Sequence, residues 1–234
     1  MLESLDSGQQ PEKILIQQGL TGDTFQQLFA KIRAKKIPFQ YAPSARLNKI
    51  TNKNHQGVIA IMPVIEYQLL EDLLPGIFES GETPLLVLLD GVTDVRNMGA
   101  IARTAECAGV HALVIPEKGG APVNADAVKA SAGALSRIPV CKESNLLQPI
   151  AFLKECGIKL LALDDKGQTI LYDTDLTGPL AVIVGAEDKG ISAAARKLSD
   201  SCVSIPMKGY IASLNVSVAT GIMVFETQRQ RMRL

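Results

Sequence analysis

Three stretches of this chain run from an apolar, strand-like segment through a loop of Gly, Asn, Ser or charged residues into a helix-like pattern. They are DGVTDVRNMGAIARTAECAG (90–109), LAVIVGAEDKGIS (180–192) and VSIPMKGYIASLNVSVATGIMVFE (203–226). One such unit is an ordinary α/β crossover. Three of them in the last two-thirds of one chain direct several strand-end loops toward a single ligand site.

The surrounding pattern supports that architecture. PLLVLLD (84–90), HALVIP (111–116), IKLLALD (158–164), LAVIVG (180–185) and CVSIP (202–206) read as strands buried on both faces. Helical patterns at 123–135, 145–156, 190–198 and 213–229 separate them, as does the run of Val95, Met98, Ile101, Ala102, Ala105 and Ala108 at helical spacing. The expected fold class is therefore α/β with a mostly parallel sheet covered on both faces. A smaller α/β unit precedes it. Its strands are expected at 12–17, 37–42 and 56–62, and its helices at 22–35 (Phe25, Leu28, Phe29 and Ile32 on one face) and 66–74, with LNKITNKNH (47–55) as a polar loop. PGIFESGETP (75–84) concentrates Pro, Gly and charge and marks a boundary, which divides the chain into a domain at 1–75, a linker at 76–84 and a domain at 85–234.

Composition removes several function classes. No apolar run approaches the ~18 residues of a membrane span. The N-terminal MLESLDSGQQPEK has neither the basic start nor the apolar core of a secretory signal, so a cytoplasmic protein is expected. Cys107, Cys141, Cys156 and Cys202 stand alone and read as buried free thiols, and His55 and His111 are the only histidines. No metal site and no histidine-based triad is expected. The phosphate fingerprints GxGxxG and GxxxxGK[ST] are absent. Formal net charge is zero, so any basic surface for nucleic acid must be local, with KIRAKK (31–36) and RQRMR (229–233) as candidates against the ordinary reading of solvated helix faces.

Within the three stretches, Asn97 either caps its helix or is available to a ligand. Arg103, four residues after Gly99, is either a surface arginine or faces the loop mouth. Gly185 ends a strand where a ligand could approach the main chain, and Glu187 is a hydrogen-bond acceptor or a plain turn acid. Ser213 or Asn215 is placed to cap the last helix, whose free N–H groups could hold an anion. Leu214, Val218, Ile222 and Phe225 form its expected buried stripe. Ser217, Ala219 and Gly221 leave a second face small enough for close helix packing.

Taken together, the motifs resemble the SpoU/TrmH family of RNA ribose 2′-O-methyltransferases. Asn97 to Ala105 follows N-x-G-A-I-x-R-T-A, Val184 to Ser192 follows V-G-A-E-x-x-G-I-S, and Ile205 to Ala219 follows I-P-M-x-G-x-x-x-S-L-N-V-S-V-A, with KASAGAL (129–135) as a further family element. The first motif reads DVRN where many relatives have D-P-x-N. Residues 12–74, including HQGVIA (55–60), resemble the small L30e-like substrate-binding domain of the branch that modifies large-subunit ribosomal RNA.

The resemblance implies a deep trefoil knot in the C-terminal domain, homodimers packed through the knot region and last helix, and RNA as partner. It implies S-adenosylmethionine as methyl donor, contacted by Val184, Gly185, Ile205, Pro206, Met207 and Leu214. Asn97, Arg103, Glu187, Ser213 and Asn215 would line the reaction centre. A ribose hydroxyl is a very weak acid, and an ordinary guanidinium has a pKa of about 12.5 to 13.8. Arg103 is therefore expected to hold a phosphate or the developing alkoxide more than to act as a free base. A transfer-RNA methyltransferase, and an inactive module that binds RNA or the donor, remain as alternatives.

Overall fold

Strand β1 (Lys13–Gln17) organises the first of two compact units, which divide the chain between Val64 and Ile65. It lies between β2 (Phe39–Ala42), parallel to it, and β3 (Val58–Ile61), antiparallel. Helices α1 (Leu2–Asp6), α2 (Asp23–Ala34) and α3 (Ser44–Ile50) complete the unit. The core joins Leu5, Ile14, Ile16, Leu28, Ile32 and Ile37, with Phe25 and Phe29 packed at its margin as the helical spacing predicts. The polar loop expected at 47–55 begins as α3. Its one fully buried anchor, Leu47, gives no readable 3.6-residue period. This computed structural model describes residues 2–6, 11–211 and 213–232. Parts of the polar N-terminal segment (Met1 and 7–10), Ala212 of the third motif and Arg233 of the basic tail lie outside them.

The first unit carries eight Lys and Arg against four Asp and Glu, and the second carries sixteen against twenty. The zero net charge therefore conceals a basic unit joined to an acidic one.

In the second unit α4 (Leu70–Glu79) leads into β4 (Leu85–Asp90), α5 (Val95–Cys107), β5 (Ala112–Pro116), α6 (Ala125–Ala130), β6 (Val140–Glu143) and α7 (Leu147–Glu155). The chain continues through β7 (Lys159–Leu163), β8 (Thr169–Ile170), β9 (Leu180–Gly185), α8 (Ala193–Leu198), β10 (Ser201–Ser204) and α9 (Val216–Arg231). Seven strands form one sheet in the order β6-β5-β4-β9-β7-β10-β8, and every pairing is parallel. Side chains alternate along β4. Leu85, Val87 and Leu89 join the core under α5, α6 and α9, while Leu86 and Leu88 join the core under α4 and α7. Both faces being covered explains why this strand reads as an unbroken apolar run.

Several expectations need correction. Residues 75–79, read as boundary and linker, belong to α4, because burial of Leu70, Leu74 and Ile77 outweighs Pro75 inside the helix. The helix expected over 123–135 stops at Ala130. Ala132 (φ 51°) and Gly133 (φ 87°) then break it before a 3₁₀ turn at Ala134–Ser136. The strands β6 and β8 were not expected. On α9 the buried positions are Val216, Thr220, Met223, Val224, Glu226 and Thr227, whereas Val218 and Phe225 of the expected stripe are 50% and 51% exposed. Cys107 is exposed, unlike buried Cys141, whose thiol is pushed up to about 12, chiefly by burial. No helix among the described residues is long and apolar enough to cross a membrane.

Gly99 fixes how closely α5 meets α6. A Cβ there would stand 2.5 Å from Ala130 Cβ and 2.9 Å from the Ser131 nitrogen. Gly76, on α4, faces open space. Gly99→Ala is expected to destabilise the protein by about 1–3 kcal/mol through overpacking. Gly76→Ala is expected to stabilise it by up to about 1 kcal/mol through helix propensity. Denaturant midpoints of the two variants check this; equal shifts would contradict the packing account.

Candidate active site

Parallel pairing brings the carboxyl ends of all seven strands to one edge of the sheet. β4 and β9 are neighbours, with Asp90 paired to Gly185 in register. Chain order reverses here, since β5 and β6 extend from one side of β4 and β9, β7 and β10 from the other. A crevice outside such a switch point is the usual ligand site of an open parallel sheet. In this chain the loops leaving β7, β9 and β10 line a cavity of about 250 Å³.

Its walls combine apolar and charged groups. Val184, Ile205, Leu214, Val216 and Ala219 supply apolar surface. Asp164, Asp165, Glu187 and Asp188 supply four carboxylates against three cations, Lys166, Lys189 and Arg196. Of the expected donor-binding residues, Val184, Gly185, Ile205, Met207 and Leu214 line the cavity, as does Ser213 of the expected reaction centre. Pro206 is exposed and does not line it.

At the rim, side chains from the three motifs meet. Asp94, not Asn97, caps α5, accepting hydrogen bonds from the Arg96 and Asn97 nitrogens at 2.7 and 3.1 Å. Asn97 thus lies inside the first turn with its amide free for other work. Its Nδ2 donates to Glu187 Oε1, and its Oδ1 accepts from Asn215 Nδ2 at 3.0 Å. Asn215 is also the cap of α9, accepting from the Ser217 nitrogen at 2.9 Å. One amide thereby ties the loop after β4 to the loop after β9 and to the start of α9, across more than a hundred residues of sequence in one case. Glu187, read as a hydrogen-bond acceptor or a plain turn acid, is an acceptor here, and its donor is Asn97.

Gly185, besides lining the cavity, meets a steric requirement of its own loop. A Cβ on Gly185 would stand 2.2 Å from the Gly190 carbonyl carbon and 2.3 Å from the Ile191 nitrogen. The residue is glycine because the loop 186–190 folds back over it, closing an Ala186–Gly190 bridge. Asp90 Oδ2 then accepts from the Ser192 nitrogen at 2.7 Å and pins the loop's far end.

Arg103 stands apart. It is exposed on α5, does not line the cavity, and has no hydrogen-bond or ion-pair partner among the described residues. Its neighbour Thr104 faces α9, where a Cβ on Gly221 would meet Thr104 Cγ2 at 3.3 Å. Sequence reasoning missed Asp164 and Arg196, which line the cavity. The available signal was a carboxylate ending the apolar run IKLLALD.

The comparisons agree with this geometry. Residues 84–225 match the model of the SpoU rRNA Methylase family. Residues 1–68 match that of an RNA 2′-O ribose methyltransferase substrate-binding domain. The chain is 38% identical to the 23S rRNA (guanosine-2′-O-)-methyltransferase RlmB of Yersinia pestis over 94% of this chain and 89% of that protein. The SpoU methyltransferase AviRb from Streptomyces viridochromogenes, crystallised in complex with AdoMet, superposes with a TM-score of 0.65 at 26% identity, covering 99% of this chain and 87% of that one. The A. aeolicus TrmH/SpoU tRNA modifying enzyme is 32% identical with a TM-score of 0.59, but covers 70% of this chain and 84% of that one. The fold and site define an RNA methyltransferase that uses S-adenosylmethionine. The chain belongs to the SpoU rRNA methylase family.

Because Gly185 permits the loop to close, Gly185→Ala is expected to weaken S-adenosylmethionine binding by about tenfold or more while both units stay folded. Titration calorimetry beside circular dichroism checks this. Unchanged affinity would show that loop closure does not shape the donor site.

Proposed function

We propose that the protein transfers a methyl group to the ribose 2′-hydroxyl of a guanosine in 23S ribosomal RNA. The observation that carries this reading is the Asn97–Glu187–Asn215 junction at the mouth of a cavity beside the switch point of the sheet. Ribosomal rather than transfer RNA is favoured because the RlmB relative matches 94% of this chain, whereas the tRNA modifying enzyme covers 70%.

The cavity suits the donor chemically. S-adenosylmethionine supplies an electrophilic methyl group on a sulfonium and carries net positive charge. Four carboxylates against three cations on the lining suit such a molecule, and the apolar walls suit its adenosyl part. Val184, Gly185, Ile205, Met207 and Leu214 are the residues proposed to hold it. The Asn97 amide, fixed between Glu187 and Asn215, keeps the motif loops in one geometry, so that the incoming ribose oxygen is aligned without reorganisation. Ser213, exposed on the same rim, is available to the ribose or its phosphate. The basic first unit, which we read as the L30e-like substrate-binding domain, is proposed to hold the RNA backbone.

Arg103 is exposed and does not line the cavity of its own chain, so we assign it to a second copy's site. Val218 and Phe225 leave α9 with exposed apolar surface beside the Gly221–Thr104 contact. A homodimer packed on that face would cover it and bring the partner subunit's Arg103 to the rim, where a guanidinium can hold the substrate phosphate and the developing alkoxide. We also propose the trefoil knot. Its support is that the chain leaves β10, beyond β7, and returns as α9 against α5, β7 and β9.

The activity is tested with 23S rRNA from cells lacking the protein, incubated with the enzyme and labelled S-adenosylmethionine. Label in a ribose-methylated guanosine is expected; label on a base, or none, would overturn the reading. The position of Arg103 is tested with mixed dimers. Arg103→Ala and Asn215→Ala alone should each lose about 10²–10⁴-fold in rate. Mixing and refolding them should restore about a quarter of the wild-type rate, since half the dimers then hold one intact site. No recovery on mixing would place Arg103 in its own chain's site.

A further inference from the structure

Among the cations of the cavity, Arg196 is the only one held in place. It lies on α8 with its side chain 37% exposed, and its Nη2 donates to Asp164 Oδ2. The Asp164 side chain is 4% exposed. A carboxylate this buried is costly unless paired, and the guanidinium pairs it. Its other oxygen, Oδ1, accepts from the Lys166 nitrogen at 3.0 Å, so the carboxylate is fixed at both ends. The loop 186–190 lies against the pair, since a Cβ on Gly190 would meet Asp164 Oδ2 at 3.7 Å. By contrast, Lys166 and Lys189 are exposed, and neither ammonium makes a hydrogen bond among the described residues.

Asp164 occupies one arm of a five-donor fork and leaves the others for a ligand. The bond to Nη2 is the guanidinium's one hydrogen bond among the described residues. A guanidinium oriented by a buried carboxylate is suited to a planar oxyanion, because less side-chain freedom is lost on binding than for a flexible lysine. The ligand proposed for this cavity carries one such group, the carboxylate of its amino-acid part. Resting on that reading of the cavity, we infer that Arg196, oriented by Asp164, binds the carboxylate of the methyl donor. Asp164 is then a positioning residue, acting through Arg196 and not on the donor itself.

The test compares S-adenosylmethionine with decarboxylated S-adenosylmethionine, which keeps the sulfonium and the adenosyl group but lacks the carboxylate. Affinities are read by calorimetry on the full chain. The wild type is expected to prefer the carboxylate-bearing donor by about tenfold to a hundredfold, the span of a charge-assisted hydrogen bond. In Arg196→Gln that preference should fall to near unity, with affinity for the decarboxylated donor unchanged. Arg196→Lys should keep part of it, and Asp164→Asn should reduce it while thermal midpoints stay close to the wild type. A wild type that binds both donors equally, or an Arg196→Gln variant that weakens both equally, would overturn the inference and leave the donor site standing. Loss of RNA affinity in Arg196→Gln with the donor preference intact would assign the group to a substrate phosphate instead, and so overturn it. Failure of the wild type to bind S-adenosylmethionine at all would remove the underlying reading as well.

Discussion

Parallel pairing of β4 with β9 is the constraint from which the rest of the site follows. The register sets Asp90 opposite Gly185, so two loops that begin 95 residues apart leave the sheet side by side. Parallel strands require crossovers, and the helices that make them cover both faces. With the sheet dry on both sides, a strand end is the one place where main-chain and polar side-chain groups can reach a ligand. Asp90, Asp94, Asn97, Asp164 and Glu187 all sit at or just beyond such ends. Each has a specific hydrogen-bond task there: a cap, a loop pin, an inter-loop tie or an ion pair.

The small residues of the site work by letting chain meet chain. Gly185 allows the 186–190 loop to fold over β9, and Gly99 allows α5 to lie on α6. Gly167 does the same beside β10, where a Cβ would stand 2.5 Å from the Val203 carbonyl carbon. None of the three has the positive φ that demands glycine for backbone reasons. Their requirement is steric, and it draws the loops after β7, β9 and β10 into one lining. A pocket wall made mainly of loop is rigid only when such contacts and the polar ties of Asn97 and Asp164 act together.

Much of this was legible in the residues. The central strands are long apolar runs with few breaks, so β4, β5, β7 and β9 are read to within a residue, and the motif residues Asn97, Glu187 and Asn215 do converge. What escaped reading has physical causes. β6 and β8 are short, and β8 has no buried residue to generate a pattern. α4 continues through Pro75 because three buried aliphatic side chains, each worth roughly 1.5–3 kcal/mol on burial, outweigh local propensity. α9 misled because its buried face includes Thr220 and Thr227, whose hydroxyls bond back to the Val216 and Met223 carbonyls at 2.7 and 3.0 Å. Threonine satisfied in this way packs as an apolar residue although it counts as polar in a periodicity. Asp164 and Arg196 meet only through the fold, being thirty-two residues apart.

The face of α9 that periodicity assigned to the core joins the fold to the proposed assembly. Its inner side is fastened to its own unit by polar contacts. Gln228 Nε2 donates to the Ala108 carbonyl at 2.6 Å, and the Arg231 guanidinium reaches the carbonyls of Thr83, Pro84 and Gly178. With the helix so anchored, Val218 and Phe225 need not be buried to hold it in place, and their apolar surface is left for another partner. The same arrangement leaves Arg103 exposed on α5, one residue from the Thr104–Gly221 contact. A cation with no ion-pair partner and an apolar face with no cover, both among the described residues, form the pattern expected where two copies must meet before either site is complete.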